Sequence, residues 1–76
     1  MTTLALSRGR TEDDFGQPIH HTSGEVLYDA RTLHRGVWAL MTEASWKRHR
    51  GSPRLGTGYG QKYQLGEDGI WRKVEG

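Results

Sequence analysis

The chain has 76 residues, a formal net charge of +2 and no cysteine. A chain of this length forms one small domain with a thin core, and the absence of cysteine excludes disulfides and thiolate metal sites. The three tryptophans, three tyrosines and single phenylalanine can compensate, because each large ring buries roughly 150–250 Å². No apolar run is long enough to cross a membrane, and the first residues are too short and polar for a signal peptide, so we expect a cytoplasmic protein.

We predict a flexible N-terminal arm over residues 1–14, followed by a single small α+β domain over residues 15–76. The apolar patch of the arm is Leu4-Ala5-Leu6, and an edge strand formed by this patch is the alternative. The acidic run Glu12-Asp13-Asp14 that follows is typical of a charged turn or of the residues before a helix.

Residues 25–31 alternate between apolar and polar side chains, which predicts a half-buried strand. Residues 37–50 fit two interpretations. Their first part has apolar residues at helical spacing, but residues 36–41 are equally typical of a short buried strand, in which case Thr42 is the N-cap of a helix over residues 42–50. In both interpretations the helix ends before Gly51, which we predict to be its C′ residue.

The C-terminal part predicts a β-hairpin. Residues 61–65 and 70–74 are its strands, and Asp68-Gly69 is a strong turn signal. The preceding stretch, residues 51–60, contains four of the eleven glycines. A dinucleotide site would require a helix after such a stretch, and a strand follows here. We therefore interpret the glycines as scaffold, needed for positive φ or close packing.

Three segments carry a family resemblance: Phe15-Gly16-Gln17-Pro18-Ile19, Gly36-Val37-Trp38-Ala39-Leu40-Met41, and Leu55-Gly56-Thr57-Gly58-Tyr59-Gly60-Gln61-Lys62-Tyr63 with the closing residues 71–76. Together they resemble small bacteriophage proteins of the zinc-ribbon or treble-clef type. In those proteins C-x-x-C-G-x-P-I precedes a strand, and W-A-x-M-C-x-x-C, a short helix and L-G-T-G-x-G-Q-x-Y follow. The resemblance covers residues 12–76 and implies short strands, one helix, a C-terminal β-hairpin and a bacterial host.

The resemblance places the two cysteine pairs of that family at Glu12, Phe15, Thr42 and Ser45 of this chain. None of these side chains can supply a thiolate, so the resemblance implies a metal-free variant without a cofactor. Zinc supplies much of the folding free energy of such domains. We expect Phe15 to fill the space where the metal would lie.

Basic and aromatic residues alternate on both sides of the glycine stretch, at Trp46, Lys47, Arg48, Arg50, Arg54, Tyr59, Lys62 and Tyr63. This combination suits contact with phosphates and stacking of bases. We therefore predict a non-enzymatic module that contacts nucleic acid or a nucleoprotein. A solvated helix end, with cations that complement the helix dipole, is the alternative interpretation of the same residues. The alternative function is a phage-encoded effector that binds a host or defence protein through Trp46, Tyr59 and Tyr63.

The sequence gives little support for other chemistry. The histidines lack the spacing of a standard metal site and are predicted to be surface residues: His20, His21, His34 and His49. No serine is placed beside a base and an orienting group, so we predict no enzyme. A core this thin leaves little room for a small-molecule pocket of about 300 Å³. Trp38 and Trp71 are predicted to be core residues, and Trp46 either buried or exposed.

Overall fold

A computed structural model describes residues 3–6 and 10–76. Within these residues the elements are β1 (Thr3–Leu4), β2 (Val26–Arg31), β3 (Trp38–Thr42), α1 (Glu43–His49), β4 (Gly60–Leu65) and β5 (Trp71–Glu75). The strands form one antiparallel sheet in the order β1-β5-β4-β2-β3, curled into a half-barrel. The predicted α+β class, single helix and C-terminal hairpin are confirmed.

Helix α1 begins at the cap that the sequence predicts. The side-chain oxygen of Thr42 accepts a hydrogen bond from the backbone N–H of Ser45 at 3.4 Å, and Glu43 and the basic last turn complement the helix dipole. The residues before Thr42 form β3, so the strand interpretation of this segment is the correct one. Among the described residues, no helix has the length and hydrophobicity needed to span a lipid bilayer.

Gly51 follows the C-cap residue Arg50 and is therefore at C′, as predicted, but its φ is not positive, so it lacks the left-handed conformation typical of a C′ glycine. The helix ends at Arg50, whose φ of −59° and ψ of 138° turn the chain away. Glycine is required at position 51 because a Cβ would lie 2.9 Å from the carbonyl oxygen of Thr32. Gly60 is required for a similar reason, since its φ is +154° and a Cβ would overlap Ala30. Both glycines let the chain pass close to the end of β2.

The two faces of the sheet carry separate hydrophobic clusters, because successive strand residues point to opposite faces. The helix-side cluster consists of Tyr28, Ala30, Ala39, Met41 and Trp46. The opposite cluster consists of Ile19, Leu27, Tyr63, Leu65 and Trp71. Helix α1 is fixed to the sheet by Trp46, whose ring stacks on Tyr28 with centroids 4.3 Å apart and planes 5° from parallel.

The predicted N-terminal arm is structured where it is described. β1 pairs with β5, so an edge strand is present as in the alternative, but it spans Thr3–Leu4 and not residues 4–6. Glu12 forms a bridge with Pro18, and Asp13 is only 5% exposed. Residues 12 and 13 therefore make ordered contacts with the segments that follow them. Residues 1, 2 and 7–9 of the predicted arm lie outside the described residues.

Asp14 pairs with the outer edge of β3. Its backbone N–H donates to the carbonyl oxygen of Leu40 at 3.0 Å, and its Oδ2 accepts from the N–H of Leu40 at 2.7 Å. One residue thus supplies both the donor and the acceptor that a neighbouring strand would supply.

The three tryptophans have different environments. Trp71 is buried, as predicted, and Trp46 is 9% exposed in the helix-side cluster. Trp38 is 41% exposed, so its assignment to the core is wrong. The reason is its position: β3 is an edge strand, and Trp38 lies at its outer end opposite Arg31.

Candidate functional site

Charge is distributed unevenly along the chain. Residues 30–66 contain seven Lys or Arg residues and one acidic residue, a net charge of +6, whereas the rest contains four basic and eight acidic residues, a net charge of −4. The two salt bridges found among the described residues, Arg10–Asp14 and Arg72–Asp68, both lie in the acidic part. Within the described chain, the cations of residues 30–66 are therefore not neutralised by ion pairs.

Two of these cations lie against the buried aromatic stack. The guanidinium carbon of Arg50 is 4.8 Å from the ring centroid of Trp46, and the Nζ of Lys62 is 5.7 Å from that of Tyr28. Cation–π contacts at such sites contribute about 0.5–1 kcal/mol each. They hold both charges on the helix side of the sheet while the rings remain in the core.

The glycine-rich loop is closed at both ends by Arg31. The carbonyl oxygen of Arg31 accepts from the N–H of Gly51 at 3.0 Å, and its own N–H donates to the carbonyl oxygen of Tyr59 at 2.9 Å. Within the loop, the guanidinium carbon of Arg54 lies 5.2 Å from the exposed ring of Tyr59. The loop therefore presents one cation and one exposed aromatic ring beside the end of β2.

The structure separates the eight predicted partner-binding residues into two groups. Trp46 is 9% exposed and Tyr63 is 6% exposed, in opposite clusters, so neither ring is available for a base to stack on. The other six are exposed or half-buried: Lys47, Arg48, Arg50, Arg54, Tyr59 and Lys62. We call these six residues the basic surface.

The carboxylate of Asp13 joins the N-terminal loop to the start of α1. Its Oδ1 accepts from the N–H groups of Phe15 and Gln17, both at 2.9 Å. Its Oδ2 accepts from the N–H of Thr42 at 2.8 Å and from the Thr42 hydroxyl at 2.9 Å. Burial acts to raise the pKa of Asp13, but the nearby Ser45 hydroxyl and the hydrogen bonds from Thr42, Gln17 and Phe15 outweigh it, so the pKa lies below its usual value.

The four positions at which the resemblance places cysteine have unlike surroundings. Glu12 is exposed, Thr42 and Ser45 form the helix cap, and the ring of Phe15 stacks on His49 with centroids 3.9 Å apart. The loop that contains Phe15 is therefore connected to α1 by the hydrogen bonds of Asp13 to Thr42 as well as by the stacking of Phe15 on His49. In the described residues, no group of three or more His, Asp or Glu side chains is arranged to hold a metal.

Two structural features near α1 were not predicted from the sequence. His34 and His49 are fifteen residues apart, yet Nε2 of His34 lies 3.0 Å from Nδ1 of His49. A cavity of about 350 Å³ lies between Phe15 and the helix, so the expectation of too little room for a pocket is wrong. Neither feature has a local sequence signal, because each brings together residues that are far apart in the chain.

The segments that carry the family resemblance form the loop before β2, the edge strand β3, and the glycine-rich loop with β4. None of the four positions at which the resemblance places cysteine carries a thiolate. No protein-family model, curated protein or solved structure matches this chain.

Proposed function

We propose that this protein is a non-enzymatic module that binds nucleic acid through the basic surface. The observation that carries the proposal is the charge distribution, with seven cations against one carboxylate in residues 30–66 and no ion pair for these cations within the described chain. Phosphate contacts of unpaired Lys and Arg side chains dominate nucleic-acid affinity, because they release condensed counterions.

The basic surface favours binding without sequence preference. Its residues are long, flexible cations that suit phosphates, and its single exposed ring is Tyr59. A base can stack on such a ring whatever its identity. The ring of Tyr59 lies beside the guanidinium of Arg54, so one nucleotide could place its base on the ring and its phosphate near the cation.

The test is fluorescence anisotropy of a labelled single-stranded oligonucleotide titrated with the protein at several salt concentrations. We expect binding at low salt that weakens steeply as salt increases, with a logarithmic slope of about −0.7 for each phosphate neutralised. Absence of any anisotropy change at low salt would falsify the proposal.

Matched variants locate the surface. The double variant Lys47→Gln/Arg54→Gln should weaken binding about tenfold or more and reduce the salt slope by roughly 1.4, because two phosphate contacts are lost. Tyr59→Ala should weaken binding by about 1–3 kcal/mol through loss of stacking. As a control, Lys73→Gln removes one positive charge from the acidic part of the chain, where Lys73 hydrogen-bonds the Gly76 carbonyl, and should leave the affinity unchanged.

A second candidate function, an effector that binds a host protein, is supported by a separate patch. Three apolar residues, Leu33, Val37 and Trp38, are 58%, 60% and 41% exposed in the turn between β2 and β3 and at the start of β3. Exposed apolar patches of this kind mark protein interfaces. Recovery of a host protein from lysate after nuclease treatment, abolished by Trp38→Ala, would favour this candidate; recovery that nuclease removes would favour nucleic acid.

We also propose that this protein is a metal-free variant of the small bacteriophage proteins of the zinc-ribbon or treble-clef type. The supporting observation is that Asp13 binds Thr42, so a carboxylate links the two segments that zinc links in the resembling family. We expect metal analysis of the native protein to find no stoichiometric zinc. Replacement of Glu12, Phe15, Thr42 and Ser45 by cysteine should create a zinc site, and failure of that variant to bind zinc would count against the kinship.

A further inference from the structure

A polar cavity lies between the loop after Asp13 and the side of α1. Its volume is about 350 Å³, and it is lined by Phe15, Gln17, Ala44, Ser45, Arg48 and His49. This size is at the lower end of the range for small-ligand sites. The lining contains a guanidinium, an imidazole, an amide and a hydroxyl, and it contains no carboxylate.

The Ser45 hydroxyl has no satisfactory partner in the described part of the protein. The residue is 2% exposed, and its Oγ makes no hydrogen bond there. It lies near enough to Asp13 to help lower the pKa of that carboxyl, but the contact lacks hydrogen-bond geometry, and the Asp13 oxygens already accept four hydrogen bonds. Because the Oγ is almost inaccessible, Ser45 forms part of the cavity wall and does not donate to a ligand in the cavity.

The two other polar residues from α1 are suited to an anion. Arg48 forms no ion pair with any described residue, and a guanidinium binds phosphate oxygens in a bidentate manner. His49 is held on one side by the ring of Phe15 and through Nδ1 by His34. When His34 donates this hydrogen bond, the proton of a neutral His49 is on Nε2, which then is a donor.

We propose that this cavity binds a phosphate group, with Arg48, His49 and the Gln17 amide as its donors. The phosphate can come from two sources. The first is the terminal phosphate of a nucleic-acid strand, and for this source the inference rests on the proposed function. The other source is free inorganic phosphate. Both present the same oxygens to the same donors, and the experiment separates them.

The experiment is a ¹⁵N NMR titration of the full chain with inorganic phosphate, followed by affinity measurements with two oligonucleotides of one sequence, one carrying a 5′-phosphate and one a 5′-hydroxyl. We expect phosphate to shift the signals of Ser45, Arg48 and His49. We expect the phosphorylated strand to bind about tenfold more tightly, the effect of one good charge-assisted contact.

Arg48→Gln and Lys47→Gln form a matched pair, because both remove one cation from the last turn of α1 and only Arg48 lines the cavity. Lys47→Gln should weaken both oligonucleotides alike and keep the preference for the 5′-phosphate. Arg48→Gln should abolish that preference. Gln17→Ala should reduce phosphate affinity without a change in charge, and its folding can be checked by circular dichroism.

Each outcome has a distinct meaning. Equal affinity for the two oligonucleotides, with no phosphate-induced shifts at the cavity, overturns the phosphate site while the proposed nucleic-acid function stands. Phosphate shifts at the cavity without binding of either oligonucleotide support a site for free phosphate and overturn the strand as its source. Equal effects of Arg48→Gln and Lys47→Gln on the 5′-phosphate preference overturn the cavity as the site.

Discussion

Two aspartates with lowered pKa values lie in two turns of this molecule and differ in what they connect. Asp13 is buried, and its carboxylate joins backbone groups of the N-terminal loop to Thr42, 29 residues away. Asp68 is exposed in the turn between β4 and β5, where hydrogen bonding from Arg72 lowers its pKa to about 2. The partners of Asp68 are all within four residues. A lowered pKa therefore does not identify the structural carboxylate; burial and the separation of its partners do.

The largest effect should come from removal of the buried carboxylate. Asp13→Ala leaves four donors without their acceptor, and we expect the free energy of unfolding to fall by about 3 kcal/mol or more, since unpaired buried donors cost roughly 1–3 kcal/mol each. Asp13→Asn keeps one acceptor oxygen and should lose less. Urea denaturation followed by tryptophan fluorescence measures both, and an unchanged midpoint for Asp13→Ala would mean that water replaces the carboxylate.

Acid should act on the same carboxylate in the wild-type protein. Because the folded pKa of Asp13 lies below the usual value of 3.8, its contribution to stability is complete above pH 3.8 and is lost as the pH falls through the folded pKa. Asp29 acts in the opposite direction, since burial, with a further contribution from Asp14, raises its pKa. Protonation of Asp29 should therefore increase stability slightly just above pH 3.8.

The denaturation midpoint measured against pH should thus rise slightly toward pH 4 and then decline. Asp13→Asn should remove most of the decline, and Asp29→Asn should remove the rise. If the denaturation midpoint of Asp13→Asn falls at low pH as much as that of the wild type, other carboxylates are responsible for acid unfolding.

A smaller effect is expected at the partner of Asp13. Thr42→Val removes the hydroxyl that caps α1 and donates to Asp13, and we expect a loss of about 1–2 kcal/mol in the free energy of unfolding. Thr42→Ser keeps the hydroxyl and is the control. Equal midpoints for the two variants would show that the hydroxyl is not responsible.

The smallest effect should come from the exposed aspartate. Asp68→Asn removes the salt bridge to Arg72, but exposed pairs at this spacing contribute little and are screened by salt. We expect a midpoint within experimental error of the wild type in about 0.5 M salt. A shift as large as that of Thr42→Val would remove the distinction between the buried and exposed carboxylates.

Much of the fold was predictable because its signals are local. The alternation in β2, the cap at Thr42 and the Asp68-Gly69 turn each depend on neighbours within a few residues. The exposure of Trp38 was not predictable in this way, because alternation shows which residues share a face and does not show which strand is at the edge of the sheet.

The candidate site was only partly predictable for a similar reason. The cations of the basic surface could be predicted, because Lys and Arg are concentrated in that part of the sequence. The role of Asp13 depends on a partner 29 residues away, and the contact between His34 and His49 spans 15 residues. The burial of Tyr63 depends on the face opposite α1. Such features follow from sheet order, which local patterns do not determine.

The pairing of Asp14 with Leu40 bears on how the protein avoids self-association. An open outer strand is a template for another chain, and natural proteins protect such strands with charges. Here the protecting group is itself hydrogen-bonded to both backbone groups of Leu40, so another molecule would have to displace a carboxylate before its own strand could add to β3. We expect this to favour a monomer at high concentration, which sedimentation analysis can measure.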